Sequence, residues 1–490
     1  MNDGCKRKKT SRVMKKHVIL ILSDQHNAKV LGSAGDPFVR TPHLDRLAES
    51  GATFSNCYCP SPLCVPSRAS IMAGLLPSRT GVFTNEQSLH SDIPTFAHAL
   101  ALAGYETTLC GRMHFVGLDQ RHGFMKRLVG DICPIQLGVD GGGSYGILND
   151  TSGATRVAVE KSGHGHSRVL EYDQDVTRAA CDYLDELDAD NGPDQFLTVG
   201  LYKPHCPFVA RKDLYDHYYD RLPDPDEGPW DLHPYTREFN ERCNLAGFKP
   251  EELKRVQAAY YAMVEELDEQ IGVLLCKIDE TLGLDNTLVI YASDHGEMMG
   301  EKGLICKTHF YDSSARVPLI CSSPNWIPPQ SQIDTPTSLL DLAPTLIEFA
   351  NAPKLPRTDG ESLMPLLKGE RSSSDRAVVS QFATTVDGYV SGMVRKGDWK
   401  YVYYHGYEHP QLFNMVDDPD ELHDLGADRR YTDLCLEMKA VLDRDWNPDE
   451  ISETVKRSWE ESKLISQFNR TTGVQPFEVW HCPEEKNHLD

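Results

Sequence analysis

The sequence predicts an α/β protein: a large sheet flanked by helices, then a smaller C-terminal α+β domain with an antiparallel sheet. Three observations point there. Apolar runs at His17–Leu22, Phe196–Leu201 and Asn286–Ser293 are continuous rather than alternating, the pattern of strands buried on both faces. Ala258–Leu275 repeats apolar residues at helical spacing (Tyr261, Val264, Leu267, Ile271, Leu274). Beyond the polar break Ser372–Asp375 come short segments joined by turns: Val378–Phe382, Val390–Lys396, Lys400–Tyr404 and Gln411–Asn414, with a helix expected at Leu434–Leu442. The chain therefore divides into an expected disordered basic tail (1–15), a large domain (16–374) and a smaller C-terminal domain and tail (375–490).

A chain of 490 residues exceeds what one core sustains, which agrees with two domains. The net charge of −23 argues against a nucleic-acid binder and against adhesion to anionic lipid. An anionic ligand must then be drawn by a local positive pocket. No apolar run is long enough to span a bilayer. The basic start is followed only by Val18–Leu22, too short for a signal-peptide core and interrupted by Ser23-Asp24. Fourteen cysteines scattered singly fit reduced thiols, and the expected location is the cytoplasm. Cys57 and Cys59 form a close pair without a second pair to complete a zinc site, and read as small core-edge residues.

Taken in order, the strand from His17 ends in Asp24-Gln25, at the carboxyl edge where open α/β sheets hold their ligands. A helix follows from Pro42, with Thr41 as its cap. In Cys64-Val65-Pro66-Ser67-Arg68, Pro66 stiffens a turn, and a helix is expected from Ala69 with Ser67 as cap. A thiol facing a helix N-terminus and Arg68 suits an anion. These residues alone leave open a buried structural cysteine and a low-pKa nucleophile. The run from Asn286 ends in Asp294-His295-Gly296-Glu297. One acidic ending would be an ordinary helix cap; two of them plus the Cys64 turn point to a shared site. Asp24, Gln25, Asp294 and His295 offer oxygen and imidazole ligands for a divalent cation. The run from Phe196 ends in Tyr202-Lys203-Pro204-His205-Cys206-Pro207-Phe208, where two prolines imply a rigid loop around His205.

The Cys64–Arg68 segment, its small and apolar helix, and Ser78-Arg79-Thr80-Gly81 together resemble the signature of the type I sulfatases, formylglycine-dependent members of the alkaline-phosphatase superfamily. Gly111-Arg112-Met113-His114 resembles that family's G-K-W-H segment, with Arg for Lys and Met for Trp. Pro204–Phe208 matches its P-H-x-P-F, and Gln411–Leu425 resembles its closing motif. Ala73 stands where the family usually has Thr, Gln25 where many members have Asp, and His295 where many have Asn. The first third of the chain is most similar to choline-sulfatases and their phosphonate-hydrolase relatives.

The resemblance implies an alkaline-phosphatase-like fold with a large mixed sheet, and a Cys64 oxidised by a maturase to formylglycine, whose hydrate attacks sulfur. Its second hydroxyl would then expel sulfate and regenerate the aldehyde. Position 64 with Asp24, Gln25, Asp294 and His295 would hold one divalent metal, Ca²⁺ first, with Mn²⁺ and Mg²⁺ as alternatives. Arg112 and Lys307 would grip the sulfate, Arg68 and His114 would orient the diol, and His205 would protonate the departing alcohol. Asn85 would donate to a substrate oxygen, and His309 is a further candidate for substrate contact. The implied activity is hydrolysis of a sulfate monoester of a carbohydrate or other small organic molecule. The stretch after Asp131 lacks the tryptophans of a quaternary-ammonium cage, which argues against choline. The rival readings are a phosphonate monoester or phosphodiester hydrolase of the same fold and an unmatured, non-catalytic anion-binding homologue. Gly141–Gly143 and Ser162–His166 read as mobile loops beside the pocket. In the acidic tail, Trp459, Phe468, Phe477 and Trp480 are expected to dock on the body or on a second copy, the latter giving a homo-oligomer.

Overall fold

The computed structural model describes residues 15–133, 137, 151, 153, 155–189, 191–226, 228–370, 376–385, 388–473 and 488–489. Residues 1–14, the Gly141–Gly143 loop, the Ser372–Asp375 break, Phe477 and Trp480 lie outside them.

An eight-stranded mixed sheet forms the centre. His17–Asp24 runs parallel to Gln195–Pro204 on one side and to Thr287–Ser293 on the other. Glu106–Gly111 extends the parallel set beyond Gln195–Pro204, and Leu319–Ser322 pairs antiparallel with Thr287–Ser293. The continuous apolar runs have the expected cause. Along the first strand, Val18, Leu20 and Leu22 enter the core on one face, while Ile19 and Ile21 enter the core on the other. Burying each such side chain contributes about 1.5–3 kcal/mol. Helix Pro250–Thr281 is longer than its apolar repeat suggested. Leu267, Ile271, Leu274 and Ile278 join the core on one face of the sheet, while Leu253, Val256 and Met263 build a third core.

The C-terminal strands form a four-stranded antiparallel sheet, Ala377–Ala383, Val390–Lys396, Trp399–Tyr404 and Gln411–Asn414, with helix Thr432–Leu442 against it.

Two expectations need correction. Helix Pro42–Glu49 has Pro at its first position, but Thr41 does not cap it: its Oγ1 donates to Asp45 Oδ1 (3.0 Å), and the free amides of His43 and Leu44 donate to Asp268 of the long helix (3.1 and 2.8 Å). Gly163–His166 is a short strand paired with Val209–Ala210, not a loop, because the two extended segments satisfy each other's backbone groups. Among the described residues, the tail past Asp445 forms helix Pro448–Thr472, with Asn447 as its N-cap and Pro448 at its first position. On it Trp459 is half-buried and Phe468 is 58 % exposed.

Candidate active site

Register builds the site. Ser23 pairs with Ser293 across two parallel strands, so the next residues, Asp24 and Asp294, emerge side by side at the carboxyl edge of the sheet. His205 leaves the neighbouring strand Gln195–Pro204, and Arg112 leaves Glu106–Gly111 beyond it. A Cβ on Gly200 would lie 1.8 Å from the Arg112 carbonyl oxygen, so only glycine admits this close approach.

Cys64 is the first residue of helix Cys64–Ala73, not part of a preceding turn, and Ser67 is inside that helix rather than capping it. Ser67 Oγ instead donates to the Asp294 carbonyl (2.6 Å). Pro66 is tolerated because the first amides of a helix have no partner within it. The Val65 amide in this turn donates to Asn85 Oδ1 (3.0 Å).

Ligand atoms of Asp24, Cys64, Asp294 and His295 all lie within 4.8 Å of one another, and all four residues are buried. Cys64 Sγ is 3.1 Å from His295 Nε2 and 3.8 Å from Asp24 Oδ1. His295 Nδ1 is 3.0 Å from the Gly296 carbonyl, to which it donates, so Nε2 is the atom turned toward the carboxylates. Two carboxylates, an imidazole nitrogen and one further atom on a closed side of a cavity fit a divalent cation. Gln25, with a left-handed backbone (φ 69), sits beside the cluster: its amide donates to Asp294 Oδ1 (3.1 Å), its Oε1 accepts from Lys307 Nζ (2.5 Å) and its Nε2 donates to Glu297. Its side-chain oxygen is thus held by Lys307.

Cations surround these acids. Arg68 Nε donates to Asp294 Oδ2 (2.7 Å) and its Nη2 to Asp24 Oδ2 (3.0 Å). Arg112 Nε donates to Asp24 Oδ2 (2.5 Å), and its Nη1 to Asp131 Oδ1 (3.2 Å), with the guanidinium over the Tyr202 ring. Burial and Cys64 push the Asp24 pKa up, but Arg112, His205 and Arg68 together outweigh them and hold it well below the usual carboxylate range. Burial would likewise raise the Cys64 thiol; the charges of Lys307 and His295, with hydrogen bonds from His114 and His205, bring it well below the usual thiol range. Position 64 is therefore a place prepared for negative charge.

His114, also left-handed (φ 56), accepts at Nδ1 from Arg112 Nη2 (2.9 Å), which leaves Nε2–H as its donor and places the ring in hydrogen-bond contact with Cys64. His205 lies between cis peptides at Lys203–Pro204 and Cys206–Pro207. Its Nδ1 meets the Cys206 carbonyl (2.7 Å) and its Nε2 meets Lys307 Nζ (2.7 Å), an imidazole and an ammonium in one hydrogen-bonded pair.

A cavity of ≈ 380 Å³ opens onto this cluster, lined among others by Cys64, Asn85, Arg112, His114, His205 and Lys307. His309 stands apart from it, buried with its Nε2 3.1 Å from Asn240 Nδ2 and its ring edge-on to Phe239.

Sequence reasoning missed several residues. Asp131 Oδ2 accepts the amides of Met113 and His114 (3.2 and 2.7 Å), fixing the strained backbone that aims His114. Glu297 Oε1 accepts the Cys306 amide (2.6 Å), bracing the left-handed turn before Lys307. Glu297 was at least visible as the end of an acidic motif; Asp131 gave no signal. Phe382, Ala383, Thr384 and Thr385 bring the C-terminal sheet into the cavity wall.

A pocket lined by Lys307, Arg112 and histidines beside a buried cluster of carboxylates and imidazole that fits a divalent cation suits a hydrolase of tetrahedral anionic esters. The chain belongs to the sulfatase family, whose model matches residues 16–352. A second model, for the C-terminal region of N-sulphoglucosamine sulphohydrolase, matches residues 300–447. A choline-sulfatase of Rhizobium meliloti is 35% identical, over 96% of this chain and 94% of its own length. A solved structure in complex with its substrate D-glucosamine-2-N,6-O-disulfate shares the fold (TM-score 0.70, 21% identity, 93% of this chain, 99% of the other). So does the phosphonate monoester hydrolase of Agrobacterium radiobacter (TM-score 0.70, 23% identity, 87% and 95%). The protein is a sulfatase, a sulfuric ester hydrolase.

Proposed function

We propose that this sulfatase hydrolyses the sulfate monoester of a carbohydrate or other small organic alcohol through a formylglycine at position 64 and one divalent cation, Ca²⁺ by preference. The observation that carries the reading is the convergence of Cys64, Asp24, Asp294 and His295 within 4.8 Å, at the floor of a cavity whose wall includes Lys307, His205 and His114. Asp24, Asp294 and His295 would hold the cation, with Gln25 beside them; when bound, it supplies Lewis-acid stabilisation of charge on the ester oxygens. Formylglycine supplies a hydroxyl nucleophile in place of the thiol, a better partner for hard oxygen ligands.

The chain's own groups do the rest. Lys307 Nζ faces the cavity to meet a sulfate oxygen, and Arg112 stabilises the same end while restrained by Asp24 and Asp131. His114 Nε2–H orients the nucleophile, and Arg68 holds the two cation-binding carboxylates in place. His205 Nε2 delivers a proton to the leaving oxygen, with Lys307 beside it as the neighbouring proton source. Asn85, whose Oδ1 is taken by the Val65 amide, would present its amide nitrogen toward substrate.

The choline-sulfatase relative makes choline sulfate a candidate, but the described cavity wall holds Phe239 and Phe382 and no tryptophan. The twelve described cysteines are all unpaired, which supports a reducing cytoplasmic location. We extend the proposal to a maturase acting on Cys64 and to self-association through the tail helix. The test is co-expression with a formylglycine-generating maturase, mass analysis of the peptide carrying position 64, and sulfate release from a panel of sugar and alkyl sulfates. Release that requires formylglycine and is lost in EDTA supports the reading. A matured enzyme that turns over nitrophenyl phosphonate but not nitrophenyl sulfate overturns it in favour of a phosphonate hydrolase.

A further inference from the structure

The cavity that receives the ester has one feature that a pocket for anions does not need. Beside Asn85, its wall includes Glu86. It is the only carboxylate among the described lining residues. Its residue is half-buried, and its carboxylate makes no hydrogen bond or ion pair with a described residue. The backbone beneath it is fixed. Gln87 Oε1 accepts the amides of Phe83 (2.6 Å) and Thr84 (3.0 Å), and Asn85 Oδ1 accepts Val65 in the first turn of the nucleophile's helix. The carboxylate is thus carried on a braced turn tied directly to position 64, rather than on a loose rim.

Two physical consequences follow. A partly covered carboxylate without a side-chain partner is open to a cation or hydrogen-bond donor brought into the cavity. An anion brought into the same cavity meets repulsion that water screens only in part. Lys307, Arg112 and the cation would neutralise the sulfate itself. Arg112 and Lys307 are the only Lys or Arg side chains among the described lining residues, and both are engaged beside position 64, Arg112 with Asp24 and Lys307 with Gln25 and His205, so a second anion on the alcohol meets no further Lys or Arg there. Phe239 and Phe382, with Thr84, Thr384 and Thr385, also line the cavity, surfaces suited to an uncharged or cationic group.

We propose that Glu86 is a specificity-determining residue that sorts substrates by the charge of the alcohol. It admits sulfate monoesters of neutral or cationic alcohols and rejects those carrying a second anionic group near the ester. This rests on the sulfatase reading and narrows its substrate class to singly anionic esters.

The experiment compares 2-aminoethyl sulfate with 2-carboxyethyl sulfate, two esters of similar size and opposite charge on the alcohol, in matured wild type and in Glu86→Gln. Each enzyme is read as the ratio of the two kcat/KM values, so differences in maturation or folded fraction cancel. The wild type is expected to favour the amine by more than tenfold, and Glu86→Gln to reduce that ratio by about tenfold, with Glu86→Asp keeping the preference. In parallel, binding of 2-aminoethanesulfonate and ethane-1,2-disulfonate is measured by calorimetry; wild type is expected to favour the amine, and Glu86→Gln to weaken that preference by a similar factor, without any turnover. A ratio unchanged by Glu86→Gln in both assays, or a wild type that favours the carboxylate, overturns the inference while leaving the sulfatase reading intact. Failure of the matured enzyme to release sulfate from either ester or from nitrophenyl sulfate overturns the sulfatase reading itself.

Discussion

Asp131 is the residue whose replacement tests the architecture of the site most directly, because no catalytic step needs it. Its two oxygens take four donors: Arg112 Nη1 and the Cys133 amide on Oδ1, and the amides of Met113 and His114 on Oδ2. In Asp131→Asn only one oxygen remains. Whichever way the amide turns, its NH₂ faces two donors, so two hydrogen bonds are lost and replaced by donor–donor contacts. One of the losses in either orientation touches a charged partner or the strained His114 backbone. Hydrogen bonds to charged groups are worth about 1.5–3 kcal/mol each, so the variant is expected to lose roughly 3–6 kcal/mol of stability. That is a large part of the 5–15 kcal/mol typical of a folded protein. His114, released from its left-handed backbone, drifts from position 64, and a displacement of about 1 Å is enough to lower kcat on the order of 10²-fold. Urea denaturation and sulfate-release kinetics measure the two effects on one preparation. A variant within about 1 kcal/mol of wild type with unchanged kcat would refute the claim that Asp131 aims the histidine.

Three further predictions follow from named contacts. His205→Ala should lower kcat for alkyl sulfates by about 10²–10⁴-fold but affect nitrophenyl sulfate far less, since a good leaving group needs little proton assistance; equal losses on both would remove His205 from the acid role. Cys64 is 1 % exposed at the start of a packed helix, so a maturase should convert nascent or urea-loosened chains and leave the folded thiol protein untouched, as mass analysis of the position-64 peptide would show; equally fast conversion of native protein would contradict the burial. Burial, outweighing the Leu44 and His43 amides, raises the Asp268 pKa from 3.8 to about 7. A carboxyl whose folded pKa is raised stabilises most below pH 4 and loses that contribution as pH rises toward 7, so wild type should lose on the order of 2 kcal/mol relative to Asp268→Asn between pH 5 and pH 8 in chemical denaturation. A flat difference between the two proteins across that interval would show that the carboxyl is not perturbed.

The strands, the long helix and the catalytic motifs were legible because each is written locally. Short continuous apolar runs rich in β-branched residues read as strands buried on both faces, and a Pro-flanked histidine or a C-x-P-S-R segment carries its chemistry within five residues. What the local pattern could not give was any contact whose partner lies far along the chain. Thr41 and Ser67 looked like caps by type and position, yet distant groups displaced them: the Asp268 carboxylate took over the amides of the Pro42 helix, and the Asp294 carbonyl drew the Ser67 hydroxyl inward. His309 lay two residues from Lys307 but turned to Asn240 instead of the cavity.

Asp131, Glu297 and Glu86 show the same limit from the other side. A lone acid in a sequence is usually a solvated one, and only three-dimensional packing puts it against four donors, beneath a strained turn, or inside an anion pocket. The amino-acid order by itself determined which side chains could do the chemistry and on which strand ends they would emerge. Tertiary structure alone decided how those ends are held together, because the in-register pairing of Ser23 with Ser293 and the hydrogen bonds across more than a hundred residues exist only after the chain has closed on itself.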